Sequence, residues 1–146
     1  MPIKGVKRVR ERLKQELKEI TDRKTHDVLW RVGLVAGGFA ANMTPIDTGF
    51  LINSQFQYIG STAEGMQLRL GYTARYAEWV HNMPGTLKGQ PREHFGKTRE
   101  GVEFGGGTGK GDYWDPNAEP EFLRKAFEEP DNADDIYKTI IEGYKT

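Results

Sequence analysis

The chain has no cysteine, only three histidines and no net charge, since 21 Lys/Arg balance 21 Asp/Glu. Without cysteine there is no disulfide framework, no thiolate zinc site and no thiol redox chemistry. Zero net charge removes the strong overall positive field that draws proteins to polyanions. Long apolar runs are missing too. The longest mainly apolar stretch, Val28 to Met43, is interrupted by Arg31 and by Gly33, Gly37 and Gly38, and it falls short of the ~20 residues that a bilayer requires. A charged N-terminus with no apolar segment behind it does not read as a secretory signal, so the expectation is a cytosolic product. A chain of 146 residues suits a single domain, 1–146, in which folding hides roughly 68–70% of the unfolded surface.

What the chain does have is periodicity. Val6, Val9, Leu13, Leu17 and Ile20 recur at spacings of three and four, which places them on one stripe of an amphipathic helix. A second helical segment holds Val28, Leu29, Val32, Val35, Phe39 and Met43, with Asp22 or Thr25 as cap candidates and Pro45 as a stop. Periodicity leaves open whether the two are one bent helix. From Phe50 the period changes to two: Phe50, Ile52, Ser54, Phe56 and Tyr58, then Met66, Leu68 and Leu70, alternate with polar residues on either side of the turn-forming Gly60 to Gly65. That pattern predicts an antiparallel hairpin. Tyr72 to Asn82 reads as a short helix or turn with Tyr76, Trp79 and Val80 on one side. Residues 83–118 form a long loop or arm rich in Gly, Pro and charge. Helical spacing returns in Phe122, Leu123, Ala126 and Phe127, and again in Ile136, Tyr137, Ile140, Ile141 and Tyr144 after the cap candidates Asp131 and Asn132. The expected fold is α+β: N-terminal helices, a small antiparallel β-sheet, a long insertion, and C-terminal helices packed on the sheet.

Several motifs invite chemistry. Asp47-Thr48-Gly49 is the tripeptide of aspartic proteases, and a homodimer would bring two copies together to share a proton. The motif there follows a strand, whereas here it follows a helical pattern, and bulky Phe50 stands where those enzymes have a small residue. The simpler reading is a helix-to-strand turn in which Pro45 ends the helix, Asp47 and Thr48 satisfy backbone N–H groups and Gly49 permits a positive φ. Gly105 to Asp112 falls short of a phosphate-binding loop, because Phe104 and Gly111 occupy the positions of its first glycine and its hydroxyl residue. His26, His81 and His94 lack metal-ligand spacing, and Asp131 to Asp135 lacks the glycine of a calcium loop, so no metal and no cofactor are expected. The basic stretch Lys4 to Lys14, including Arg8 and Arg12, is a candidate nucleic-acid contact, but acidic residues interleave and no aromatic residue there would stack on a base. Phe104, Tyr113 and Trp114 have few apolar neighbours and are candidate interface anchors. From Met1 to Arg31 ten Lys/Arg face five Asp/Glu, and from Asp112 to Thr146 four face ten, leaving +5 and −6. This separation suits head-to-tail contact between copies, although two separately solvated helix faces account for it as well.

Three blocks, "TPIDTGFLINSQF", "YTARYAEWVHNM" and "PEFLRKAFEE", follow an amphipathic helix in this order. Together they resemble the neck and minor tail (tail-completion) proteins of tailed bacteriophages. The matching residues are Pro45, Asp47, Thr48, Gly49, Leu51 and Ser54; Tyr76, Ala77, Val80 and His81; and Phe122, Leu123, Ala126 and Phe127. The resemblance implies a non-enzymatic virion protein in a homo-oligomeric, six-fold ring, found in the neck or tail and in the host cytoplasm during assembly. It also implies neighbours among neck, connector, tail-terminator or tail-tube proteins, and DNA passing nearby in the channel, with no membrane. The insertion between His81 and Pro120 is longer than in many relatives, and the expectation is an interface arm. The alternatives are a dimeric aspartic protease using Asp47 and a basic nucleic-acid-binding module.

Overall fold

A computed structural model of the chain describes residues 5–46, 49–86, 89, 97–99, 102–103 and 115–145. The two helical segments of the N-terminal third are one helix, α1, Val6–Met43, 38 residues long, or about 57 Å at 1.5 Å per residue. Neither Asp22 nor Thr25 caps a new start, because no proline interrupts the backbone ladder and its hydrogen bonds run through both. Next come α2 (Phe50–Asn53), the hairpin strands β1 (Gln55–Thr62) and β2 (Gly65–Tyr72), and α3 (Ala77–His81). The short β3 (Lys97–Arg99) and β4 (Val102–Glu103) pair antiparallel within the insertion, and α4 (Phe122–Glu128) and α5 (Pro130–Lys145) close the chain. This is the α+β arrangement that the periodicities predict.

Three expectations need correction. Phe50 to Ser54 do not begin the strand: Gly49 takes a left-handed φ of +81° and starts α2, so β1 begins at Gln55. The faces of β1 are also the reverse of a simple apolar-in rule. Gln55 and Gln57 point at α1, while Phe56 and Tyr58 are 43% and 58% exposed. The reason is the helix surface beneath them, since a Cβ on Gly33 or Gly37 would run into the side-chain amides of Gln57 or Gln55. The two glycines leave a trough that the Gln55 and Gln57 amides fill together with the ends of Leu68 and Leu70 from β2. Opposite them, on β2, Met66, Leu68 and Leu70 turn partly buried side chains to the same face. Finally, the C-terminal helices touch the sheet end where Phe122 meets Tyr72, but they run chiefly along α1. Gly143 of α5 lies against Val28, and the Tyr144 hydroxyl is 3.0 Å from Thr25 Oγ1.

The core collects where these elements converge. Phe122 is 1% exposed and lies with Leu51, Ala74 and Ala77, fringed by Met43, Tyr72, Val80 and Leu123. The Tyr72 and His81 rings meet it edge-on, with centroids at 5.3 and 5.1 Å. On α3 the inward residues are therefore Ala77, Val80 and His81. Tyr76 and Trp79, which the sequence groups on one side with Val80, are instead 43% and 69% exposed. Glu121 opens α4 in the left-handed region (φ +54°), and its N–H donates to the His81 carbonyl at 2.8 Å. Phe122→Ala should lower stability by about 3–5 kcal/mol, as for other large buried side chains, whereas Trp79→Ala should change it by about 0.5 kcal/mol or less. Urea denaturation of both variants checks the contrast.

Candidate interaction surfaces and the turn they stand on

The turn after α1 is held from a distance. Thr44, 1% exposed, caps α1 by donating its hydroxyl to the Ala40 carbonyl at 2.7 Å. Its single proton is thereby used, so the Tyr72 hydroxyl, 2.7 Å away, must donate to Thr44 Oγ1. The same tyrosine oxygen accepts from Gln55 Nε2 at 2.9 Å, and the second amide proton goes to the Gly37 carbonyl at 3.0 Å. Every donor in this chain of bonds has an acceptor, and among the described residues no buried side-chain polar atom is left without a partner.

Pro45 and Ile46 leave α1 half-buried, and Gly49 re-enters helix. Asp47 and Thr48 lie outside the described residues. The elements on either side of them, α1 and α2, are helices, so the strand that precedes a protease Asp-Thr-Gly is not there. The carboxylate seen bracing the turn is Asp115, 7% exposed: Oδ2 accepts the Ile46 N–H at 3.0 Å and Oδ1 accepts the Asn117 N–H at 2.9 Å. Asp115 thus ties the far end of the insertion to the exit of α1, 69 residues away in sequence. Two further bonds strengthen the tie: the Glu119 N–H donates to the Met43 carbonyl at 2.9 Å, and Lys125 Nζ lies 3.0 Å from Glu119 Oε2. Beside it is an open cavity of about 680 Å³ lined by Met43, Ile46, Ile52, Asp115, Pro116 and Glu119 among others. Ser54 closes the other side. Its carbonyl accepts the Thr73 N–H at 2.9 Å and its hydroxyl donates to the Leu51 carbonyl at 2.7 Å.

Outside this frame many large apolar side chains are exposed. Every residue from Gly5 to Thr21 is exposed, so the first half of α1 projects past the end of α5 as an arm. Its stripe of Val6, Val9, Leu13, Leu17 and Ile20 is 54–68% exposed at each position. Arg8 and Arg12 sit one turn apart on this arm, both exposed. Phe50 and Tyr76 make a tilted ring pair (6.2 Å) near Trp79, Phe56 and Tyr58 cover the outer face of the hairpin, and Trp30 and Leu34 mark a further side of α1. A monomer rarely shows large side chains on so many sides, and such patches commonly mark contact with other proteins. The other expected anchors, Phe104, Tyr113 and Trp114, lie outside the described residues.

Among the described residues, no three His, Asp or Glu side chains converge as metal ligands, and no helix is long and apolar enough to cross a membrane. Asp115→Ala leaves two backbone donors with no acceptor, and Tyr72→Phe removes both the bond donated to Thr44 and the one accepted from Gln55, so each should cost about 1–3 kcal/mol. Thermal melts of the two variants check these losses. No protein-family model matches the chain, and no significantly similar curated protein or solved structure was found.

Proposed function

We propose that the chain is a structural protein of a tailed bacteriophage, a subunit of the ring that completes the tail or forms the neck where tail meets head. The observation that carries this reading is the convergence of the three blocks behind the resemblance. Leu51 from the first, Ala77, Val80 and His81 from the second, and Phe122 and Leu123 from the third meet in one core. The three blocks therefore share one packed core. Two further features support it. The opposite ends of the chain carry opposite charge, which favours head-to-tail association of copies. Large apolar side chains stand exposed on several sides of the fold, as expected of a subunit with neighbours beside, above and below.

In this role the protein has no catalytic residue, and Asp47 carries out no chemistry. Asp47→Asn should leave any peptide-cleaving activity of the preparation unchanged, and cleavage abolished by that single change would establish the protease instead. The direct test is assembly. Particles made without this protein should accumulate as filled heads and separate tails in electron micrographs, and the purified chain should form closed rings. Normal, joined particles lacking the polypeptide would remove the proposal.

A further inference from the structure

Among the described residues nothing covers the apolar stripe of the α1 arm, and two observations indicate what does. The first is charge. From Val6 to Ile20 the arm carries six Lys/Arg against three Asp/Glu. Arm-to-arm pairing would therefore bring like charges together as the stripes met. The opposite surface lies at the other end of the sequence: Glu128, Glu129, Asp131, Asp134, Asp135 and Glu142 are all exposed, with Lys138 the single basic residue between Glu128 and Glu142. The second is shape. Fifteen arm residues span about 22 Å and the 16 residues of α5 about 24 Å, so one covers the other along its length.

The apolar residues of α5 form two rows where one was expected. Ile136, Ile140 and Gly143 recur on the side that faces α1. Tyr137 and Ile141, four residues apart, lie on a second side, with Tyr137 63% exposed, while Tyr144 reaches back to Thr25 of α1. Asp134 precedes Tyr137 by three residues and so lies on this second side. Arg10 and Lys14, each one residue after a stripe position and one turn apart, flank the arm's stripe. We infer that the arm of one copy docks along the Tyr137–Ile141 row of α5 in a second copy, its basic flank set against the acidic flank of that helix. The contact is heterologous, because arm and α5 are different surfaces, and repetition around an axis closes it into a ring. It rests on the proposed function only for the premise that copies of the chain associate.

Charge exchange between two variants tests the arrangement. Arg10→Glu with Lys14→Glu makes the arm's flank acidic, and Asp131→Lys with Asp134→Lys makes the flank of α5 basic. All four positions are exposed, so each variant should retain its helical circular dichroism, with a small fall in Tm for the α5 variant because Asp131 stands in the first turn of α5. In sedimentation velocity the wild-type chain should be oligomeric and each variant alone should require at least tenfold higher concentration to associate. An equimolar mixture should recover the oligomer, since each variant then meets opposite charge on the other. Variants that associate as the wild type does, or a mixture that stays monomeric, overturn the docking arrangement and leave the ring proposal standing. A basic-α5 variant that assembles alone as the wild type does shows that the flank of α5 is not the arm's partner and overturns the arrangement equally. A wild-type chain that is monomeric at every soluble concentration removes both.

Discussion

The hairpin can lie against α1 only where the helix has almost no side chain. Along its covered half the buried positions are Val28, Val32, Gly33, Ala36, Gly37 and Ala40, and four of the six are glycine or alanine. This lets the β1 glutamines reach the helix backbone, where the Gly37 carbonyl accepts from Gln55, and lets α5 approach with Gly143 on Val28. Small residues in a helix sacrifice apolar burial and, at glycine, backbone order costing about 0.5–1 kcal/mol each. Here that loss is offset by close packing on two sides of one helix. Replace the glycines by larger residues and the hairpin must lift; with it go the Tyr72 hydroxyl, the Thr44 cap and the edge-on contact of Tyr72 with Phe122.

The same helix shows the opposite logic in its first half. There the apolar positions are large, the spacing is regular and, among the described residues, nothing lies over them. Burial of such side chains contributes about 1.5–3 kcal/mol each as an upper estimate, a gain that folding of the single chain leaves unused. The division falls near Thr25, where the Tyr144 hydroxyl meets the helix and α5 ends. One element thus serves as interior scaffold at one end and as presented surface at the other.

Much of this was legible in the residues. Spacings of three and four located α1, α4 and α5, and alternation located the hairpin. Asp22 and Thr25 suggested a boundary that the continuous ladder of α1 does not observe, because a capping residue inside an unbroken helical pattern has no reason to stop it. The orientation of β1 was hidden because hydropathy ranks Phe56 and Tyr58 above Gln55 and Gln57, and only the trough at Gly33 and Gly37 reverses that order. Around the turn, attention to Asp47 obscured Asp115, although Asp-Pro-Asn is itself the pattern of a side chain bonding to a backbone N–H two residues on. Trp79 misled for a similar reason: its size suggested burial, while the small Ala77 takes the inward place.

A helix gripped along one half and free along the other is a lever. The distance from Thr25 to Val6 is about 28 Å along the axis, so a tilt of about 10° at the grip carries the tip about 5 Å sideways with no change in any bond of the core. In the proposed ring such a limb would absorb variation in where the next copy sits, and would seat its tip before the bodies came into register. Conversely, a strain applied at the tip is delivered to the glycine-floored part of the helix, where the hairpin rests.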